Sequence, residues 1–499
     1  MRKRLWLILL ASIVGAGGMA ITATSPQAED RKVEQAPAKA PSSRKISPAP
    51  GPQADSNPES ETSVVRGPVE IRRGYEISIG GWFTFRFSTP EWLDLEDVAD
   101  RVRSGIGLLA ILGVAVFLSE NRHAISRRVV FWGIGLQWAF ALLALRLPVG
   151  IKILERLGNG VNLVLGSAMN GSRFLFGDTL ANNKDPAAFI FAFHVLPTVI
   201  FVSALFAVLY HLGIMQWIVR GLAFVMAKLM GTSGAESLNV GASLFLGQTE
   251  APLTIRPFLP RLTRSELLTV MTSGMAHVSG GVILAYTNEG VKIEHIITAV
   301  IMTAPGSILI SKMLVPETEK PETMGQVNAA EGSTDSNVLD AAARGTRDGL
   351  HLALNIGAML IAFIGLVTLV NLGLSQVGTS LQKLLGFVMA PVAYMLGVPW
   401  RDIQGVGMLL GTRTVLNEML AFKEMGKMIV EKSLMDRSVV IASFALCGFA
   451  NFSSIGIQLG GIGALAPERR HDLARLGMRA LLAGTLANFL SACIAGILL

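Results

Sequence analysis

The sequence predicts an all-α polytopic membrane protein with eight transmembrane helices, two re-entrant hairpins and a transporter core built as an inverted repeat. Three observations carry that prediction. Of 499 residues, 51% are hydrophobic and only 16% charged, with a mean hydropathy of +0.51, whereas a soluble chain carries roughly 25% charge. Segments 104–119, 129–145, 188–213, 266–286, 296–315, 351–374, 438–459 and 478–499 each approach the ~20 apolar residues that a span needs. Between them lie two segments too polar and too broken to cross simply, each followed by a span with a polar centre. An ordinary cytosolic enzyme is excluded. The formal charge of +7 does not indicate nucleic acid, because the Lys and Arg gather in short loops between spans, which points to membrane orientation. Cys447 and Cys493 both lie in apolar runs and offer neither a disulfide framework nor a metal cluster.

Met1-Arg-Lys-Arg4, an apolar run to Ile21 and small residues near Ala23 lay out a signal peptide or N-terminal anchor over residues 1–25. Residues 26–70 hold 8 of the 21 prolines, too little apolar surface to order themselves, and are expected to be a disordered extracytoplasmic linker. Residues 71–100, with Trp82, Phe83, Phe85 and Trp92, suit an interfacial segment. Residues 101–235 then hold the N-terminal scaffold spans, 236–315 the first hairpin with spans four and five, 316–347 an acidic linker, and 348–499 the sixth span, the second hairpin and spans seven and eight. Arg122, Arg127 and Arg128 follow the first span, and Arg469, Arg470, Arg475 and Arg479 precede the last. Six crossings separate them, so one topology puts both loops and the acidic linker in the cytoplasm and the C-terminus outside.

The first polar segment runs from Ser243 through Gly247-Gln248-Thr249-Glu250 to Pro252 and Arg256. The second runs from Gly405 through Gly411-Thr-Arg413 to Asn417-Glu418 and Phe422. Each suits two half-helices with a polar tip, tolerable at membrane depth only where it lines protein or a watery cavity. The spans that follow read Gly274-Met-Ala-His277-Val-Ser279-Gly and Gly448-Phe449-Ala-Asn451-Phe-Ser453-Ser454, which align as a weak repeat. Paired discontinuous helices in corresponding halves point to a midplane binding site. Glu250 and Glu418 are carboxylates at membrane depth, costly unless they bind something. With Gln248, Thr249, Asn417, Asn451, Ser453 and Ser454 as donors and acceptors and Phe449 and Phe422 as flat faces, the set suits a small uncharged solute with hydroxyls and an amide-bearing ring. Arg413 either pairs with a hairpin carboxylate or extends to water.

At these residues the sequence resembles the concentrative nucleoside transporter family, from about residue 100 to the C-terminus. Gly247-Gln-Thr-Glu-Ala-Pro-Leu253 resembles the tip of the first hairpin, and Asn417-Glu418 with Ala421-Phe422 that of the second. Cys447-Gly-Phe-Ala-Asn-Phe-Ser-Ser-Ile-Gly456 resembles the seventh-span signature; Gly158-Asn-Gly-Val-Asn162 and Arg173-Phe-Leu-Phe-Gly177 resemble the interfacial helix after the second span. The resemblance implies interfacial helices, a homotrimer in the bacterial inner membrane with both hairpins in the bilayer, and cation-driven nucleoside uptake without a cofactor. It further implies that Gln248, Thr249 and Glu250 face the nucleobase, that Glu418, Asn451 and Ser454 face the ribose, and that Phe449 lines the pocket.

Two positions depart from the pattern. Where the family's sodium cage has an Asn and a hydroxyl residue, this chain has Ser243 and His277, although Leu246 and Val278 still offer carbonyls. Sodium, the one metal to consider, prefers oxygen ligands, whereas a histidine is a natural proton carrier or a neutral ring satisfied by a backbone carbonyl. The coupling ion is Na+ or H+. The alternatives are a nucleoside-gate-like membrane protein with a different cargo or a regulatory role, and a membrane hydrolase using the two carboxylates, for which no nucleophile or metal-ligand spacing is present.

Overall fold

The computed structural model describes residues 74–79, 83–88, 95–180, 191–325 and 335–499. The expected signal segment (1–25) and proline-rich linker (26–70) lie outside the described residues. Within the expected interfacial segment, β1 (Gly74–Ile79) pairs antiparallel with β2 (Phe83–Ser88), Tyr75 opposite Phe87 and Ile77 opposite Phe85. The strict apolar–polar alternation of both runs is a strand pattern, and reading them for aromatics alone hides it. The other regular elements among the described residues are helical.

Each of the eight expected spans coincides with a helix or a pair of half-helices. Four helices among the described residues are unbroken and long and apolar enough to cross: α2 (Arg127–Leu145), α4 (Phe191–His211), α9 (Ile293–Leu314) and α16 (Arg470–Leu498). The first and sixth expected spans lie inside α1 (Leu95–Phe117) and α10 (Val338–Ser375), whose charged first turns extend past the apolar stretch. The fourth is divided into α7 (Arg264–Ala276) and α8 (Gly280–Asn288), and the seventh into α14 (Asp436–Leu446) and α15 (Phe452–Leu465).

The remaining helices frame these. The stretch likened to an interfacial helix forms α3 (Pro148–Leu180), which kinks at Gly177, where φ is +78° and glycine avoids the left-handed penalty. Next come α5 (Ile214–Met230) and α6 (Gly234–Ser243), the descending arm of the first hairpin. Its return arm is two short 3-10 turns, Ala251–Ile255 and Leu259–Arg261, because Pro252 and Pro260 prevent a continuous helix. The second hairpin is two full helices, α12 (Ile403–Val415) and α13 (Glu418–Val430). It lies beside α11 (Leu381–Met395), where a Cβ at Gly407 would sit 2.7 Å from the Gly386 carbonyl oxygen, so glycine sets the close approach.

The core is α6, α7, α9, α14 and the C-terminal part of α16, whose side chains are mostly buried; Phe174 of α3, Ile361 of α10 and Phe387 of α11 are instead exposed. Two capping boxes, Ser233 with Glu236 and Thr263 with Glu266, start α6 and α7. Lys312 at the end of α9 balances their charge, with Nζ 2.9 Å from Glu236 and 3.1 Å from Glu317. Nearby, Glu120 pairs with Arg264 and Arg479, and Arg261 pairs with Glu322, so the 120s loop, the first hairpin's exit, the acidic linker and the start of α16 meet at one end.

Candidate functional site

The two broken spans meet at their breaks. α7 stops at Ala276 and α14 at Leu446, and the Phe449 N–H donates to the His277 carbonyl at 3.3 Å. The segments that align in the sequence repeat therefore lie side by side in space.

Asn451 caps α15: its Oδ1 accepts from the Ser454 N–H (2.9 Å) and the Ser453 hydroxyl (2.6 Å). That leaves its Nδ2 to donate to Glu418 Oε2 at 3.2 Å. Asn417 does the same for α13, accepting from the Leu420 N–H, so Glu418 is the first residue of a helix, where the dipole favours a negative charge. The Tyr286 hydroxyl donates to Glu418 Oε1 at 3.2 Å. From the other hairpin, Gln248 Nε2 donates to Ser454 Oγ at 3.2 Å, while the buried Gln248 Oε1 has no partner. A continuous chain thus runs Tyr286–Glu418–Asn451–Ser454–Gln248, joining both hairpins and both broken spans.

The sequence-derived residues do not all enter that chain. Phe449 is half-buried at the break beside it. Glu250 is exposed, its Oε2 accepting from the Gly247 N–H of its own turn at 3.1 Å. Thr249 packs on α15, where a Cβ at Gly461 would lie 2.3 Å from its Cγ2, so glycine makes room for it. Phe422 is fully buried and stacks on Tyr286, ring centres 4.1 Å apart, so it backs the site rather than offering a free face. Tyr286 is the residue that sequence reasoning missed; a tyrosine inside a span, one of four in the chain, was the available signal.

Ser243, Leu246, His277 and Val278 are brought together, since the Gly280 N–H donates to the Phe245 carbonyl at 2.9 Å and docks the hairpin turn on the α7–α8 break. The Ser243 and Ser273 hydroxyls there are already engaged, whereas Asn239 Oδ1 and Ser279 Oγ are buried without a partner. Ser243 Oγ donates to the Asn239 carbonyl (2.8 Å) and lies 3.3 Å from Ser273 Oγ, which donates to the Val270 carbonyl. Asn239 Nδ2 donates to Ser273 Oγ, and His277 Nδ1 is 2.8 Å from the Ser273 carbonyl. The set thus offers a hard cation one free amide oxygen and one free hydroxyl, while the engaged hydroxyls and the imidazole are poorer sodium ligands.

Two hairpins, each followed by a broken span, with a buried carboxylate and amide groups where the breaks meet, are the architecture of a membrane solute carrier. Family models described as Na+ dependent nucleoside transporter N-terminus, nucleoside recognition, and Na+ dependent nucleoside transporter C-terminus match residues 106–179, 192–292 and 295–496. The chain belongs to the concentrative nucleoside transporter family. It is 45% identical over 399 residues to an uncharacterized transporter of Bacillus subtilis, covering 78% of this chain and 98% of that one. It is 39% identical over 435 residues to the sodium/nucleoside cotransporter 1 of Rattus norvegicus, covering 82% of this chain and 65% of that protein. The solved structure of CNTnw in an inward-facing substrate-bound state superposes with a TM-score of 0.75 at 39% identity, covering 80% of this chain and 97% of that one.

Proposed function

We propose that the protein takes up nucleosides across the bacterial inner membrane by symport with a cation, using alternating access. The observation that carries this reading is the chain from Tyr286 through Glu418, Asn451 and Ser454 to Gln248, which sets a charged acceptor and two amides in a fixed frame. A carboxylate held by two neutral donors keeps lone pairs for vicinal hydroxyls, so Glu418, Asn451 and Ser454 take the ribose. Gln248, with its unpartnered Oε1, takes the nucleobase edge together with Thr249 and Glu250, and Phe449 lines the pocket.

The family's descriptions support sodium as the coupling ion. The second reading, proton coupling, is favoured by the hydrogen-bonded set Asn239–Ser273–Ser243 and by His277 in place of a hydroxyl residue. The cytoplasmic side is the end where Glu120 meets Arg264 and Arg479, which leaves the C-terminus outside and both hairpins in the bilayer. Assembly is as a homotrimer in membrane lipid.

Labelled uridine uptake into proteoliposomes, with sodium and proton gradients imposed separately, tests the reading. Concentrative uptake under either gradient supports it and identifies the ion. If sodium drives uptake, the cage tolerates Ser243 and His277; if only protons do, Ser243→Asn combined with His277→Ser should bring sodium dependence back. No uptake of any of several nucleosides would leave a gate-like membrane protein with another cargo or a regulatory role.

A further inference from the structure

Arg413 is the largest fully buried side chain among the described residues; it does not extend to water, and its hydrogen bonds go to groups other than a hairpin carboxylate. Its Nη2 donates to Asn488 Oδ1, and its Nε donates to the Gly448 carbonyl at 3.3 Å. Asn488, from α16, turns its Nδ2 the other way and donates to the carbonyls of Ala276 (2.8 Å) and Cys447 (2.6 Å). One amide therefore closes the C-terminal ends of both interrupted half-helices, α7 and α14. The amide orientation follows from the partners, since flipping it would set its NH2 against the guanidinium and its oxygen against two carbonyls.

Helix C-termini carry partial negative charge on unpaired carbonyls. Where two such ends converge in a low-dielectric core, a fixed positive charge is the natural balance. We propose that Arg413 and Asn488 form a strut that locks the two helix breaks to each other and to the second hairpin, and that both are positioning residues for the transport site. The strut joins four elements, α7, α12, α14 and α16. Glu418 follows Arg413 by five positions across the hairpin tip, and Phe449, Asn451 and Ser454 follow Cys447 and Gly448 directly, so both sides of the Glu418–Asn451 contact hang from it. Gly448 fits because nothing larger can: a Cβ there would meet the Ala276 carbonyl oxygen and Asn488 Oδ1, each at 2.6 Å.

The chain supplies its own reporters, since its two cysteines, Cys447 and Cys493, are free and buried. Asn488→Ala leaves Arg413 Nη2 and the carbonyls of Ala276 and Cys447 without these partners, which loosens the break locally. With full-length protein in native membranes, N-ethylmaleimide should label Cys447 about tenfold faster in Asn488→Ala than in the unaltered protein, with Cys493 still protected, as read by mass spectrometry. Arg413→Lys, which keeps the charge and loses the fork, should label Cys447 at an intermediate rate. The proposal is overturned if Cys447 stays as protected as before, if both cysteines open together, or if neither variant accumulates as folded protein. A functional half rests on the nucleoside reading: the half-saturation concentration for uridine should rise about tenfold in Asn488→Ala with less change in maximal rate, and an unchanged value overturns the positioning role. Should the unaltered protein move no nucleoside, the cargo reading falls while the cysteine pattern still decides the strut.

Discussion

The two hairpins carry matching carboxylates in unlike settings. In the second, α13 begins directly at Glu418, and the carboxylate is buried between Tyr286 and Asn451, each at 3.2 Å. In the first, prolines shorten the return arm to 3-10 turns, and Glu250 is exposed, folded back on its own Gly247 N–H. The second carboxylate is thus held by partners from outside its hairpin, whereas the first is held only within its own turn. Because preorganisation lowers the ordering cost of binding, the proposed site should draw more of its affinity from Glu418 than from Glu250.

Glu418→Gln should strike hardest. It replaces an ionised acceptor by a neutral amide among donors, and hydrogen bonds to charge are worth about 1.5–3 kcal/mol; nucleoside transport should fall about 100-fold with folded protein still reaching the membrane. Normal transport in that variant would end the ribose assignment. Gly461→Ala comes next. It touches no polar group, yet its new methyl would press on Thr249. Overpacking costs roughly 1–3 kcal/mol, and half-saturation should rise about tenfold; an unaffected uptake curve would show that Thr249 faces no solute. Glu250→Gln should cost less, about fivefold, because the hydrogen bond its carboxylate accepts comes from its own turn. A loss as deep as that of Glu418→Gln would reverse the ranking of the two halves.

Much of this was legible in the chain. Gly247-Gln-Thr-Glu and Asn417-Glu announced two tips because glycine, proline and acids within apolar stretches are costly at membrane depth unless the backbone turns there. The Ala-His277 and Ala-Asn451 repeat located both breaks. What stayed hidden was the part set by long-range contact. Tyr286 reaches Glu418 across 132 positions and Asn488 reaches Ala276 across 212, so no local pattern marks either residue. The β1–β2 pair was legible by alternation, but its aromatics also fit a membrane interface, and the two patterns compete in so short a run. The unequal exposure of Glu250 and Glu418 was equally out of reach, since both sit in similar local sequences and differ only in what packs over them.

Tyr286→Phe is the smallest change and the sharpest on preorganisation. It deletes one oxygen, keeps the ring stacked on Phe422, and removes a single donor from Glu418 Oε1. One donor to a charged carboxylate that keeps its other donor contributes about 1.5 kcal/mol, so half-saturation should rise about tenfold, with the melting temperature nearly unchanged because the packing survives. If the hydroxyl only holds Glu418 in place, maximal rate stays near that of the unaltered protein, since the carboxylate still reaches the ribose once the nucleoside has arrived. A fall in maximal rate with constant half-saturation would instead place Tyr286 in the moving step. The contrast between a preorganised Glu418 and a locally held Glu250 would then have to be given up as the source of affinity.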